Sequence, residues 1–163
     1  MDCQSGSVKA LEILVSRWQK RLWRYAYRLV GDTEGAWDIT QESWLGIIKG
    51  LKKLQDPANF KAWAYRITTN KSIDWLRKSK KTVKQVSIEE IEEQQSGEKK
   101  DTGVKELMAK LDVRKQVVLS LYYFEQLSVP EISAALKIPK GTVKSRLYSA
   151  RKELKELYQK HIE

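Results

Sequence analysis

Apolar residues recur every three or four positions through almost the whole chain, and that spacing admits one kind of fold. From Ser7, a side chain suited to capping a helix start, Val8, Leu11, Val15, Trp18, Leu22, Tyr25 and Leu29 follow at alternating steps of three and four. That is the seam of one long helix. Gly31-Asp32-Thr33 closes it and offers caps for a second, whose Trp37, Trp44, Ile48 and Leu51 are expected along one side. Asp56-Pro57 breaks the second helix, and a third is expected from Phe60 to Lys78 with Phe60, Trp63, Ala64 and Ile67 buried. With only 8 Gly and 3 Pro and no alternating strand pattern, the chain reads as all-α with short connections.

The pattern lapses once. From Gln85 to Gly103, QVSIEEIEEQQSGEKKDTG has few apolar residues and no aromatic one, the composition of a mobile linker. Two small helical domains are therefore expected, residues 1–84 and 104–163, joined by residues 85–103. Charge follows the same division. Residues 1–84 hold 17 basic and 8 acidic side chains, 85–136 hold 6 and 10, and 137–163 hold 8 and 3, so two basic ends flank an acidic middle. A net charge of +10 points to a polyanionic partner.

Composition also excludes. No apolar run approaches the roughly 18 residues needed to cross a bilayer. One cysteine, Cys3, cannot form an internal disulfide, and one histidine, His161, stands at the extreme end, so neither a cystine scaffold nor a Cys/His zinc site is expected. The start MDCQSGSVKALEI has no charged segment followed by an apolar one, as a secretory signal would, and the expected location is the cytoplasm. No cofactor and no small-molecule substrate is indicated.

The chemistry concentrates in three stretches. In LSVPEISAALKIPKGTVKSRLYSARKEL, Ser128 and Glu131 form a capping box, Ile132, Ala135 and Leu136 a short apolar face, and Ile138-Pro139-Lys140-Gly141 a tight turn. Val143, Leu147, Ala150, Leu154 and Leu157 then line a final helix, which is helix-turn-helix spacing. Such a second helix enters the major groove, and its first turns carry Lys140, Thr142, Lys144, Ser145, Arg146 and Tyr148, with the later Arg151, Lys152 and Lys155 extending the positive field. A solvated basic helix is the plain alternative, and the capped helix and turn ahead of it weigh against that. In FKAWAYRITTNKSIDWLRKSKK, Arg66, Asn70, Ile73 and Arg77 share one stripe, presenting guanidinium and amide groups suited to an unpaired base and its phosphates. In DITQE, Asp38, Gln41 and Glu42 share a face with Leu45, opposite the tryptophan side, and a basic protein partner suits that face better than DNA.

Taken together, LWRYAYRLVGDTEGAWDITQESWLGIIKGL, FKAWAYRITTNKSIDWLRKSKK and the helix-turn-helix run resemble a bacterial sigma factor of the extracytoplasmic-function (ECF, group four) class of the sigma-70 family. The resemblance spans nearly the whole chain apart from the linker. It implies that Asp38, Gln41, Glu42 and Leu45 grip the clamp helices of core RNA polymerase. It implies that Asn70 helps hold a flipped base of the minus-ten element, with Gly50, Leu51 and Leu54 at the adjoining loop and Arg66, Asp74 and Arg77 as neighbours. It implies that Lys140, Thr142, Lys144, Ser145, Arg146, Tyr148 and Arg151 meet the minus-thirty-five element, and that the same domain sits on the polymerase flap. Promoter DNA, core polymerase and an anti-sigma factor are the implied partners. Catalysis is not implied.

The sequence departs from the family pattern at a few positions. Gly35 and Trp37 replace the small and acidic residues usual before the DITQE aspartate, Ala64 stands where leucine is usual, and Ser149 where a basic residue often falls. Two rival readings are weaker. A stand-alone helix-turn-helix regulator binding duplex operator DNA leaves DITQE and the Asn70 stripe without work. A metal-dependent nuclease using Asp38, Glu42 and Asp74 would draw carboxylates from separate helices, with no histidine base and no recognised metal spacing.

Overall fold

The computed structural model describes residues 6–83 and 102–163. Among them are seven α-helices: α1 (Val8–Val30), α2 (Thr33–Gly50), α3 (Phe60–Val83), α4 (Thr102–Ala109), α5 (Val113–Leu119), α6 (Val129–Leu136) and α7 (Lys140–Ile162). The described residues contain no strand. The expected linker lies outside the described residues except for positions 102 and 103, which open α4.

Local chemistry sets most helix boundaries. The Ser7 hydroxyl accepts from the Ala10 N–H at 3.3 Å, Asp32 from Gly35 at 2.8 Å, and Asp112 from Arg114 at 2.8 Å, each satisfying a donor that a helix start leaves unpaired. Gly31 ends α1 with φ +70°, a left-handed conformation that costs glycine little, and its N–H bonds the Tyr27 carbonyl at 2.8 Å. The capping box closes both ways: Ser128 Oγ accepts from the Glu131 N–H at 3.2 Å, and the Glu131 carboxylate accepts from the Ser128 N–H at 3.0 Å. That backbone hydrogen bond leads in holding the Glu131 carboxyl below its ordinary range, and the ion pair with Lys61 at 3.9 Å adds to it.

Two expectations about boundaries need correction. The third helix runs five residues past Lys78, to Val83. The tight turn after α6 falls earlier than residues 138–141: Lys137 takes the left-handed conformation and α7 already begins at Lys140, because Pro139 at its N-cap is preset for a helix start.

The buried face of α2 also differs from the expected one. Trp44 and Leu51 are buried, but Trp37 is 41% exposed and Ile48 44% exposed. The packed side is instead Gly35, Ala36, Ile39, Thr40, Ser43, Trp44 and Ile47. Small residues dominate it because α3 fills the space with indoles. A Cβ on Gly35 would lie 2.5 Å from Trp75 Cζ2, and one on Gly50 would lie 2.6 Å from Trp63 Cζ2. Two glycines one helix apart thus receive two tryptophans from the antiparallel neighbour, a fit no Cβ would permit.

Hydroxyls line the same seam without needing cross-helix partners. Thr40 and Ser43 donate to the carbonyls of Ala36 and Ile39, both at 2.7 Å, and Thr68 and Ser72 to those of Ala64 and Thr68, at 3.0 and 2.8 Å. Each buried hydroxyl is satisfied one turn back on its own helix, so the helices approach closely without a desolvation penalty.

The second half packs α5, α6 and α7 around Val118, Leu121, Leu127, Ile132, Val143, Leu147 and Ala150. Between α5 and α6 the chain makes one π-helical turn, Ser120–Phe124, closed by Glu125 N–H to Ser120 O at 3.0 Å. The halves are packed against each other, with α6 on α3 and α5 against α1, and the apolar core is continuous across both.

Candidate functional site: three exposed faces

The first face belongs to α2. Asp38, Gln41, Glu42 and Leu45 are all exposed, with Leu45 at 60%. Trp37, Gln41, Leu45 and Ile48 follow i, i+4, i+8 and i+11, so the exposed tryptophan lies on this face rather than opposite it, contrary to the sequence expectation. Trp37 is held by Trp23 of α1, whose ring centroid is 5.4 Å away and which itself stacks on Tyr27 at 5.2 Å. The surface combines carboxylates with projecting apolar groups, which suits a basic protein partner. Glu42 is also within 3.9 Å of Lys71, an exposed pair of little energetic weight.

The second face belongs to α3 and the loop before it. Asn70, Asp74 and Arg77 are exposed and Arg66 half-buried, so the stripe expected from spacing is present. Asp74 and Arg77 lie 4.0 Å apart, one turn from each other. The loop candidates divide. Leu51 is buried in the core and Leu54 half-buried, so the Leu51 side chain shapes the loop from beneath rather than reaching a ligand. Gly50 holds the notch for Trp63. The exposed basic positions of this loop are Lys52 and Lys53, and residues 55–59 are exposed as well.

Behind this stripe sits a buried polar chain. Tyr25 and Thr69 share a hydrogen bond at 2.6 Å, Tyr25 meets Tyr65 edge to face at 5.3 Å, and the Tyr65 hydroxyl donates to Glu125 from the other half of the molecule. Arg28 donates to the second Glu125 oxygen at 3.0 Å and lies 4.0 Å over the Phe124 ring. Burial, reinforced by the bond to Glu125, pushes the Tyr65 hydroxyl well above its ordinary pKa, and burial does the same to Tyr25.

The third face is on α7. Lys140, Lys144, Tyr148 and Arg151 are exposed at i, i+4, i+8 and i+11, with Tyr148 at 69%. Thr142 and Arg146 are half-buried at its edge. The Ser145 hydroxyl donates to the Gly141 carbonyl at 2.9 Å, which leaves its lone pairs to accept from a base. One residue outside the expected set joins this face. Tyr123, from the π-turn, accepts a hydrogen bond from Arg151 Nε. The sequence signal was the YYF run, whose orientation depends on a turn type that periodicity does not show.

These faces offer an acidic-apolar patch for a protein, an amide and guanidinium stripe for nucleic acid, and a basic helix after a tight turn for a major groove. Among the described residues no cluster of three or more His, Cys, Asp or Glu is placed to hold a metal, and no helix is long and apolar enough to cross a membrane.

Two family models match the chain. Sigma-70 region 2 matches residues 14–82 and Sigma-70, region 4 matches residues 103–154. RNA polymerase sigma factor SigV of Bacillus subtilis is 34% identical over 133 residues, 80% of each chain. ECF RNA polymerase sigma factor SigE of Mycolicibacterium smegmatis is 33% identical over 161 residues, 91% of this chain and 61% of that protein. The sigma factor RpoE of Bartonella quintana, solved in complex with the anti-sigma factor NepR, superposes with a TM-score of 0.76 at 24% identity, covering 93% of this chain and 98% of that one. The chain belongs to the sigma-70 family, among the RNA polymerase sigma factors of the extracytoplasmic-function class.

Proposed function

We propose that the chain binds core RNA polymerase through the α2 face, captures an unpaired base of the minus-ten element on the α3 stripe, and reads the minus-thirty-five element with α7. The observation that carries this reading is the presence of all three faces, each exposed, on one chain of the sigma family. Asp38, Gln41, Glu42 and Leu45 are assigned to the clamp helices, and Trp37 and Ile48 extend the apolar part of that contact. Asn70 is assigned to the flipped base, with Arg66 and Arg77 on the adjoining phosphates. A pocket that accepts only the unpaired base shifts the pairing equilibrium by its differential affinity, so melting needs no bond-making step and the chain acts as a specificity subunit rather than an enzyme. Its place of work is the compartment that holds the polymerase, the cytoplasm.

The two elements are about 25 base pairs apart, ~85 Å of duplex at ~3.4 Å per pair. The longest helix among the described residues, 24 residues, spans only ~36 Å. The packed halves therefore have to part before both elements are engaged, and residues 85–103 set how far they go. Joined on one polymerase, two weak contacts act through effective concentration. An anti-sigma factor is the assigned inhibitory partner. A groove of about 1010 Å³ between the halves, with Leu76 and Met108 among its apolar residues and Arg24, Arg77 and Arg114 among its basic ones, suits an acidic amphipathic helix from it.

The test is an open-complex assay with reconstituted polymerase. Asn70→Ala is expected to reduce permanganate-reactive, melted promoter DNA at least tenfold while co-elution with core polymerase is unchanged. Loss of co-elution instead would show that α3 serves the polymerase rather than the DNA.

A further inference from the structure

We infer that Tyr123 and Arg151 form a two-residue clamp for a phosphodiester of duplex DNA at the flank of α7, an inference that rests on the reading of α7 as the groove-reading helix. Tyr123 is 52% exposed on the π-turn, and its ring needs a contact to hold it in one place. Arg151 supplies that hold. Its Nε donates to the Tyr123 hydroxyl at 2.5 Å, and its guanidinium carbon lies 5.4 Å from the centroids of both Tyr122 and Tyr123, which meet edge to face at 5.0 Å. The cation is thus seated on two π-faces and tied at one nitrogen.

What the seat leaves free decides its use. With Nε occupied, the two terminal nitrogens keep their outward N–H groups, the end-on fork that matches two oxygens of a phosphate. The Tyr123 hydroxyl accepts from Nε and keeps its own hydrogen for a further acceptor beside that fork. No carboxylate among the described residues lies within ion-pair distance of Arg151, whereas the nearby Glu153 is taken by Lys115. The charge is therefore left for an anion from outside. Arg151 is in register with Lys140, Lys144 and Tyr148 on the exposed stripe, so that anion belongs to the same duplex those residues meet.

Tyr123 also orients. An exposed arginine ordinarily samples many rotamers and loses that freedom on binding. Seating it on two rings before DNA arrives removes part of the ordering cost, and the hydroxyl fixes the direction of the fork. Ring contact alone would leave it free to swivel, so removing only the oxygen should be felt.

The experiment measures binding of the full chain to a fluorescein-labelled duplex of mixed sequence by anisotropy across a salt series, since phosphate contacts do not depend on sequence. Arg151→Ala is expected to lower the slope of log K against log salt by about one. Tyr123→Phe, which keeps charge and ring, is expected to weaken binding roughly threefold to tenfold, on the scale of a charge-assisted hydrogen bond, and to lower the slope in the same direction. The double variant should bind as Arg151→Ala alone, and Arg151→Lys, which lacks the fork, should not restore binding. Tyr123→Phe indistinguishable from the parent, or equally harmful with and without Arg151, would overturn the clamp. Lys144→Ala on the same probe separates the two levels. A lowered slope there with a silent Tyr123→Phe would sink the clamp and leave the α7 reading standing, whereas no change from Lys144→Ala or Arg151→Ala would sink both.

Discussion

The seam between α2 and α3 and the seam between the two halves of the molecule are both buried, yet they are built from opposite materials. In the first, indoles fill glycine notches and every hydroxyl satisfies itself on its own helix. In the second, the central contact is a carboxylate: Glu125, 6% exposed, bonded to the Tyr65 hydroxyl and to Arg28, with Lys61 and Glu131 paired at the edge. The first seam holds no ionisable group, and among its described polar side chains only the Trp44 indole N–H is buried without a partner. The second carries, beside the apolar core that runs across it, ionisable groups that water solvates readily, which offsets part of what separation costs. If the halves part on the promoter, as proposed, the second seam is the separable interface and the first the permanent one.

The largest expected effect strikes the permanent seam. Gly35→Val drives methyl groups into the Trp75 indole and is expected to destabilise the chain by about 3 kcal/mol, the upper end for overpacking a filled site. It should lower the urea midpoint without changing the slope. A neutral result would mean that Trp75 moves aside freely, and the contrast between the seams would weaken.

A smaller effect is expected at the separable seam. Glu125→Ala leaves the Tyr65 hydroxyl without its acceptor and Arg28 without its carboxylate, a loss of about 1–2 kcal/mol because Arg28 keeps access to water. The readout is shape rather than unfolding. Small-angle scattering should show a larger radius of gyration with helix content by circular dichroism unchanged. Loss of helix content would show that the halves do not fold apart from each other.

The smallest effect is a pH dependence. Burial raises the Tyr65 and Tyr25 pKa values, so their contribution is fully present below about 10, the ordinary tyrosine value, and is lost as pH rises above it. Compactness is expected to fall on the alkaline side. Tyr65→Phe should cost about 1 kcal/mol at neutral pH and flatten that alkaline loss. An unchanged alkaline limb would place its cause elsewhere.

How far these features were legible depended on their sequence separation. Ser7, Asp32 and the Ser128–Glu131 box cap their helices within three residues, and the helix-turn-helix and the Asn70 stripe follow from spacing along one helix. Spacing puts Trp37 and Ile48 on one side with Trp44 and Leu51 because α2 is apolar on much of its surface, and only the indoles arriving from α3 show which side is packed. The Glu125 contacts cross 60 and 97 residues, and the Tyr123–Arg151 bond depends on a π-turn that no apolar period records. Local pattern shows which groups are available to a face, and tertiary packing decides which of them reach it.

The most direct test of the central claim is transcription from a genomic fragment library by core RNA polymerase, with start sites mapped in the presence and absence of the purified chain. The account predicts that the chain co-elutes with core polymerase and creates a new set of starts sharing minus-ten and minus-thirty-five elements, and that Asp38→Ala weakens the first and abolishes the second. A chain that fails to bind core polymerase and instead grips duplex DNA tightly as a dimer would contradict it.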